Sequence, residues 1–369
     1  MIRPDSTPPM GSKAPFAPLA ARAEIAGYFE QLGAAFSRAR QRVPVSADRE
    51  YQLAGYRLRL RFVGEALVPA LTSALAHLPP ATVKHGLEIL CWDGAATGEM
   101  LPAPPWPWPA EWPAAGFITP FDNPSFRVSV CPISGVILLY RADNSTAIFW
   151  APDARKLHTY HHGSPFLTLL SWWIQTRTRS LHLLHAGCVG TDHGAVLLVG
   201  RGGSGKSTTA LLCAEAGMNY LSDDYCLVEE GPTPTAYCLY SSGKLNRDQF
   251  ARFPELAALA VDPRTDPFGK PVLFLAQAGR FRVAARAPLR AILVPTVTGE
   301  PETTIEVTTA AEAARALAPS TLLQLSNSDP TALQSLAGLT RKLACFRLGL
   351  GTRLEAIAPA VRTLLTRPA

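Results

Sequence analysis

One eight-residue segment constrains the fold of this chain more than any other feature. Residues 200–207 have the sequence GRGGSGKS, which matches the pattern G-x-x-x-x-G-K-[ST]. The apolar run before it, 195–199, predicts a buried strand, and the run after it, 206–217, predicts a helix that ends at Gly217. A strand, a glycine-rich loop and a helix in this order predict a phosphate-binding P-loop, and with it an α/β fold.

The residue types of this loop suit a nucleotide. Glycines allow positive φ angles and a close backbone approach, so that successive N–H groups can point at phosphate oxygens. Lys206 is expected to reach the β- and γ-phosphates, and the Ser207 hydroxyl is expected to bind Mg²⁺. We therefore predict ATP and Mg²⁺ as cofactors. The predicted nucleotide contacts are Gly200, Arg201, Gly202, Gly203, Ser204, Gly205, Lys206, Ser207 and Thr208.

Two adjacent carboxylates follow the predicted helix. Asp223 and Asp224 interrupt the otherwise strand-like run NYLSDDYCLVEE. Burial and mutual repulsion both disfavour two charges inside a strand, so the pair favours a metal or proton-transfer role over a solvated strand end. Upstream, His185 stands at a strand end in LLHAGCVG. Taken alone, a histidine in such a place is more often structural than catalytic.

Together these residues resemble the HPr kinase/phosphorylase family of P-loop proteins, over about residues 181–229. In that family a His-Ala-Gly strand end precedes the loop at about this distance, and an Asp-Asp pair follows the loop lysine at the spacing found between Lys206 and Asp223. The resemblance implies that Asp223 is the acid/base facing the acceptor hydroxyl and that Asp224 helps to hold Mg²⁺, although the two roles are open to exchange. It also implies that His185 contacts or orients the transferring γ-phosphate.

The resemblance implies an Mg·ATP-dependent kinase that transfers the γ-phosphoryl group to a serine hydroxyl of a small protein or peptide. A ribosomally made precursor peptide is one such acceptor. HPr kinases are typically oligomers of identical subunits, so the resemblance also implies a homo-oligomer. Two alternatives stay open: a kinase for a small metabolite, and a nucleotide-binding regulatory protein without transferase activity. The fold implied is a P-loop kinase domain of the HPr kinase type with an extra N-terminal α/β module.

The sequence departs from that family downstream of the acid pair. The family has a Glu-Ile-Arg-Gly-Leu-Gly-like segment there, whereas residues 240–256 have the sequence YSSGKLNRDQFARFPEL. This difference argues against HPr as the substrate and against phosphorylase activity. Lys244, Asn246 and Arg247 are available in this segment for phosphate or acceptor contacts, with a solvated turn as the equal alternative.

Length and proline content indicate how the chain is divided. At 369 residues and 47% hydrophobic content, it has material for about two to three units. Proline-rich segments predict a disordered tail over 1–20 and a Pro/Trp linker over 101–120, which separate an N-terminal α/β module (21–100) from the P-loop domain (121–369). The linker tryptophans, Trp106, Trp108 and Trp112, are expected to pin it to its own domain rather than to dock a partner.

Hydrophobic patterning predicts the individual elements. The predicted helices are 23–40, 65–78, 165–178 and 309–317, and the predicted strands are 56–63, 87–92, 127–131, 136–141, 147–150, 181–184 and 289–297.

Charge and cysteine content exclude other classes of protein. The net charge of +6 favours anionic partners, but no basic run or RNP-like pattern is present, so we expect no sequence-specific nucleic-acid binding. The basic cluster Arg280, Arg282, Arg286 and Arg290 favours a solvated face over a contact with phosphate or an acidic peptide.

The seven cysteines have no metal-ligand spacing and are expected to be small buried hydrophobes. No apolar run approaches ~18 residues and no secretory signal is found, which predicts a cytoplasmic protein without membrane contact.

Overall fold

The computed structural model shows a mixed α/β protein with two large sheets and one small sheet. The structure describes residues 19–45, 47–106, 116–118, 121–131, 134–157, 164–177, 180–245, 253–261, 271–324 and 330–366.

The first sheet has six strands in the order β1-β2-β3-β6-β5-β4. Its strands and the helices around it are α1 (Leu19–Arg42), β1 (Arg49–Leu53), β2 (Tyr56–Phe62), α2 (Val68–Thr72), β3 (Gly86–Asp93), α3 (Gly94–Thr97), β4 (Phe126–Val130), β5 (Ile137–Arg141), β6 (Thr146–Ala151) and α4 (Ser164–Arg177). Strands β2, β3 and β6 are parallel to one another, and the remaining pairs are antiparallel.

Helix α1 covers one face of this sheet. Its residues Ile25, Phe29, Leu32 and Phe36 recur at helical spacing and are all buried, so they form one apolar stripe. Phe36 packs edge-on against Trp92 of β3, with ring centroids 6.0 Å apart. The burial of this stripe explains why the helix forms where the sequence predicts it.

Helix α4 covers the opposite face and belongs to a core that both large sheets share. Phe166 and Trp172 are fully buried there together with Leu60 of β2. The same cluster includes Leu227 and Leu239, which lie beyond the P-loop in sequence. The two halves of the chain are therefore joined through apolar packing rather than only through a linker.

The second sheet has nine strands, with β10-β8-β9-β16-β12-β11-β7 as its main path and β18 and β17 beyond β16. Its strands and the P-loop helix are β7 (Leu181–Leu184), β8 (Gly187–Thr191), β9 (Gly194–Leu198), α5 (Lys206–Glu215), β10 (Asn219–Ser222), β11 (Cys226–Glu229), β12 (Thr235–Cys238), β16 (Arg286–Val297), β17 (Thr304–Val307) and β18 (Ala344–Leu350).

A small third sheet, in the order β13-β15-β14, lies beside the P-loop helix. The remaining elements are β13 (Ser242–Lys244), α6 (Pro254–Ala257), β14 (Ala260–Val261), β15 (Val272–Phe274), α7 (Leu275–Ala278), α8 (Ala310–Gln324), α9 (Pro330–Lys342) and α10 (Ile357–Thr366). A Cβ atom added to Gly243 of β13 would lie 2.7 Å from the Leu211 side chain of α5. The third sheet is thus packed directly against the P-loop helix.

Strand direction brings three predicted functional segments to one edge of the second sheet. Strand β8 is antiparallel to both β9 and β10, so β9 and β10 run in the same direction. Gly187 at the start of β8 is registered against Leu198 at the end of β9, and Cys188 is registered against Ser222 at the end of β10. The P-loop after β9, the acid pair after β10 and His185 before β8 therefore meet at this edge.

Most predicted strands and helices are confirmed with small shifts of their ends, and the α/β class is confirmed. The helix predicted over 65–78 is instead the short α2 followed by a 3₁₀ turn, Ser73–Leu75. Its start is shifted to Val68 because Gly64 turns the chain at φ 69° and Pro69 lies in the first helical turn, a position that proline favours. The helix predicted over 309–317 continues to Gln324.

The division of the chain at residue 120 needs correction. Strands β4 to β6 lie in the same sheet as β1 to β3, because β3 pairs in parallel with β6 from Glu88↔Thr146 to Asp93↔Ala151. The first unit therefore extends at least to Ala151. The tail predicted over 1–20 overlaps α1, which starts at Leu19, and residues 1–18 lie outside the described residues.

The basic cluster, the cysteines and the absence of long apolar runs were also interpreted from the sequence. Arg280 pairs with Glu215 and Glu255, and Arg282 lies 3.3 Å from Asp192, so these members of the basic cluster form a solvated, ion-paired face. Six of the seven cysteines are buried, as expected of small hydrophobes. Within the described ranges, no helix is both long and apolar enough to cross a membrane.

The start of the Pro/Trp linker is fixed to α1. The Trp106 ring is buried and meets Tyr28 edge-on, with centroids 5.3 Å apart, while the Tyr28 hydroxyl donates to Pro102 O at 3.2 Å. For Trp106 this is the pinning that the sequence predicts. Trp108 and Trp112 lie outside the described residues.

Trp106→Ala is therefore expected to lower the free energy of unfolding by about 3 kcal/mol or more, because it removes a large buried ring and leaves a cavity. Urea unfolding of the full chain measures the loss. The matched control is Met100→Ala, since Met100 is 58% exposed and its replacement should stay within about 0.5 kcal/mol of the wild type. Equal midpoints for Trp106→Ala and the wild type would show that the linker is not pinned here.

Candidate functional site

The P-loop has the backbone that its glycines predict. It joins the end of β9 to Lys206, the first residue of α5. Gly203 and Gly205 have φ angles of 80° and 101°, which favour glycine. A Cβ atom on Gly205 would overlap the Leu350 side chain of the neighbouring strand β18. Both conformation and space therefore require glycine at position 205.

The side chains of the loop fit a phosphate group. Lys206 is buried, and its Nζ donates to Gly200 O at 2.7 Å and to Arg201 O at 3.2 Å, so the ammonium group lies across the loop. The Ser204 hydroxyl is buried and has no hydrogen-bond partner among the described residues. The first N–H groups of α5 have no partner within the helix, and together with the positive end of the helix dipole they attract anions.

Asp223 is held by main-chain and side-chain contacts inside the protein. It is 2% exposed, and its Oδ2 accepts the backbone N–H of Lys244 at 2.9 Å. Its Oδ1 lies 3.0 Å from the hydroxyl of Tyr220, which also donates to Ser242 O at 2.7 Å. The Tyr220 hydroxyl has one proton for two acceptors, and a carbonyl oxygen can only accept. If Asp223 carries a proton, it can donate to the Tyr220 oxygen while the Tyr220 hydroxyl donates to Ser242 O, so both contacts are hydrogen bonds.

Asp224 has a different environment, with two basic partners. His185 Nε2 lies 2.8 Å from its Oδ1, and Lys244 Nζ lies 2.6 Å from its Oδ2. The His185 ring packs 5.1 Å from that of Tyr225, and its backbone N–H donates to Thr321 Oγ1 at 3.3 Å. Asp224 therefore has a positive or proton-donating group on each carboxylate oxygen.

These environments separate the pKa values of the two carboxyl groups. Burial, reinforced by the negative charge of Asp224, raises the pKa of Asp223 to about 6. Burial also acts to raise the pKa of Asp224, but the Lys244 ammonium and the His185 contact outweigh it and hold this pKa well below its usual range. One carboxyl group can therefore exchange a proton near neutral pH while its neighbour stays ionised.

The residues predicted to bind Mg²⁺ supply suitable oxygen ligands, although few of them. The Ser207 hydroxyl and the Asp224 carboxylate are ligands of the kind that Mg²⁺ prefers. Among the described residues, no group of three or more His, Cys, Asp and Glu side chains is placed to hold a metal ion. A site of this kind suits a cation that keeps several waters and takes further ligands from nucleotide phosphates.

The structure brings together predicted residues and others that the sequence did not single out. His185, Asp223 and Asp224 meet at one sheet edge, and all three were candidate site residues from the sequence. Tyr220 was not predicted, and Lys244 was predicted only as a phosphate or acceptor contact. Two neighbouring buried carboxylates require a cation, and this requirement was the one available signal for Lys244. Asn246 and Arg247 lie outside the described residues.

Comparisons with known proteins add little to this geometry. No family model matches the chain, and no curated protein matches it. Among solved structures, the HPr(Ser) kinase/phosphatase from Coxiella burnetii aligns with 50% of this chain and 95% of that chain, at 12% identity and a TM-score of 0.28. A TM-score of this size establishes no common fold. The protein is a mixed α/β chain with a P-loop, and its assignment to a family stays a prediction.

Gly205→Ala is expected to weaken ATP binding about tenfold or more, because the new methyl group requires a strained φ and collides with Leu350. Gly33→Ala is the matched control, since Gly33 lies in α1, outside the loop, and no atom lies within 4 Å of the added carbon. Titration calorimetry with ATP compares the two, and thermal unfolding verifies that both variants are folded. ATP binding by Gly205→Ala at wild-type strength would contradict the assignment of this loop.

The raised pKa of Asp223 predicts a pH-dependent stability of the protein without ligands. A carboxyl group with a raised pKa in the folded state stabilises that state below about pH 4, and the stabilisation is lost as the pH rises through about 6. Between about pH 4 and about pH 7, the free energy of unfolding of the wild type should fall by up to about 3 kcal/mol more than that of Asp223→Asn. Urea unfolding of both proteins at the two pH values measures this, and a constant difference would show that the Asp223 pKa is not raised.

Proposed function

We propose that this protein is a P-loop kinase that uses Mg·ATP and transfers the γ-phosphoryl group to a hydroxyl group. The observation that carries the proposal is the meeting of a P-loop and a pair of unequal aspartates at one sheet edge. A nucleotide-binding loop alone serves many activities. A buried carboxyl group with a pKa of about 6 beside the loop adds a group that can accept a proton at neutral pH.

Phosphoryl transfer requires positioning and charge neutralisation more than covalent chemistry by the protein. Lys206 supplies positive charge at the loop. Ser207 and Asp224 are the residues that would hold Mg²⁺, which supplies further charge when bound. His185 uses Nε2 on Asp224, and its buried Nδ1 has no partner among the described residues. That nitrogen can donate to a phosphate oxygen when it carries a proton.

Asp223 is the proposed general base for the acceptor hydroxyl. When ionised, it can take the hydroxyl proton as the oxygen attacks phosphorus. Its contacts with the Lys244 N–H and with Tyr220 fix the carboxyl group in one orientation. Because burial and the Asp224 charge raise its pKa, Asp223 takes up a proton closer to neutral pH than an ordinary aspartate does.

The proposed acceptor is a serine hydroxyl on a small protein or peptide, and the N-terminal module is its proposed capture surface. The support is a direct link between this module and the site. Both the N–H and the Oγ of Ser241 donate to Ala74 O, at 2.8 and 3.0 Å, and Ser241 immediately precedes β13, whose last residue is Lys244. A peptide held by the first module would therefore lie on the part of the chain that is hydrogen-bonded to the segment carrying Lys244.

The test is incubation with γ-labelled ATP, Mg²⁺ and candidate acceptors, including the products of neighbouring genes. Lys206→Ala is expected to lose nucleotide binding. Asp223→Asn should still bind ATP but lose transfer by about 10²- to 10⁴-fold, because it removes a proton acceptor and little else. Asp192→Asn is the control, since this carboxylate is on the surface and its side chain is 76% exposed.

The outcomes separate the candidate functions. Label on a protein or peptide serine supports the proposal, and label on a metabolite supports a small-molecule kinase. Label found only as free phosphate, with every acceptor unmodified, favours a nucleotide-hydrolysing regulatory protein. Full transfer by Asp223→Asn would contradict the assignment of the base.

A further inference from the structure

Lys244 occupies the carboxylate oxygen that a metal ion needs. Its Nζ lies 2.6 Å from Asp224 Oδ2, and His185 Nε2 takes the other oxygen at 2.8 Å. Mg²⁺ binds carboxylate oxygens at about 2.0–2.1 Å. A carboxylate oxygen has more than one lone pair, so a metal ion could bind Oδ2 beside the ammonium group, but the two cations would then lie about 4 Å apart in a buried site and repel each other. Coordination by this oxygen is therefore weakened while the ammonium group stays in its present position.

The backbone of Lys244 is anchored, whereas its side chain has the means to move. Lys244 is registered against Val272 in the third sheet, and its N–H donates to Asp223 Oδ2. The adjacent Gly243 packs against Leu211 of the P-loop helix. A lysine side chain is a flexible four-carbon stem, and that of Lys244 is 20% exposed. The ammonium group can therefore change position while the backbone that orients Asp223 stays in place.

The charge of Lys244 has a clear use when no metal is present. Asp224 is ionised beside a second carboxyl group in a buried location, and such a charge is costly without a cation. Lys244 and His185 supply the compensation. A divalent cation at the same oxygen would replace the Lys244 charge with a larger one. The negative charge of Asp224 therefore has a cation beside it both with and without the metal.

We propose that Lys244 is an internal counter-ion that holds Asp224 in the metal-free protein and is displaced from Oδ2 when Mg²⁺ arrives with the nucleotide. This inference rests on the proposed function, in that it takes the P-loop to bind a metal–nucleotide complex. Lys244 is thus a positioning residue that competes with the metal. It keeps the acid pair in place between turnovers and raises the metal concentration needed to fill the site.

The test measures Mn²⁺ binding to the full chain at saturating ADP by electron paramagnetic resonance, so it requires no phosphoryl transfer. Lys244→Met removes the ammonium group but keeps the N–H bond to Asp223. It is expected to bind Mn²⁺ about tenfold more tightly than the wild type, because the metal no longer competes with a cation. Lys244→Arg, which keeps the charge, should bind Mn²⁺ no more tightly than the wild type.

Stability gives a second readout. Without metal, Lys244→Met should unfold at a lower temperature than the wild type, and Mn²⁺ with ADP should remove most of that difference. Lys156→Met, at an exposed position in the first unit, is the control and should change neither quantity. If Lys244→Met does not fold, Lys244→Gln replaces it, since its amide can still bond to Asp224 without a charge.

Unchanged or weaker Mn²⁺ binding by the folded Lys244→Met or Lys244→Gln variant would overturn the inference and leave the proposed function intact. A wild-type chain that binds Mn²⁺ and ADP but phosphorylates no acceptor would contradict the proposed function, while the comparison of metal affinities would still decide the role of Lys244. A wild-type chain that binds no Mn²⁺ with ADP would overturn both.

Discussion

Two consecutive carboxyl groups buried at one sheet edge cannot both be ionised without a nearby cation. The protein meets this constraint asymmetrically. Asp224 receives Lys244 and His185 and stays ionised, whereas Asp223 receives a backbone N–H and a tyrosine hydroxyl and has a raised pKa. The proposed roles of the acid pair depend on this difference, because a general base must exchange a proton near neutral pH, whereas a metal ligand must stay ionised.

The fold creates the asymmetry through contacts between distant segments. Strand β10 delivers the acid pair to the same edge as the P-loop after β9, and β8 lies between them. The third sheet then brings Lys244 back against the P-loop helix, where its N–H reaches one aspartate and its ammonium group reaches the other. Nucleotide loop, base and counter-ion are therefore held by elements that pack directly against each other.

Local signals in the sequence predicted much of this arrangement. The P-loop, its flanking strand and helix, and the Asp223–Asp224 pair are each contained in a short segment whose residue types have a direct physical meaning. Hydrophobic periodicity also predicted most elements of both large sheets. These parts of the structure depend on neighbours within about one turn or one strand, so a single sequence is sufficient to predict them.

The parts that the sequence did not predict depend on pairing between remote strands. The parallel pairing of β3 with β6 places residues 126–151 in the first sheet, and no local pattern distinguishes this from a domain boundary at residue 120. The role of Lys244 depends in the same way on the pairing of β13 with β15. The Tyr220 contact with Asp223 follows from the turn after β10, which hydrophobic patterning does not describe.

The most direct test of this account is a pH titration of the aspartate carboxyl carbons by ¹³C nuclear magnetic resonance in the ligand-free protein. Asp223→Asn and Asp224→Asn identify the two signals. Asp223 is expected to titrate with a midpoint at about 6, while Asp224 stays ionised through the range near 4 where ordinary aspartates titrate. Two midpoints near 4, or a raised midpoint on Asp224 instead of Asp223, would contradict it.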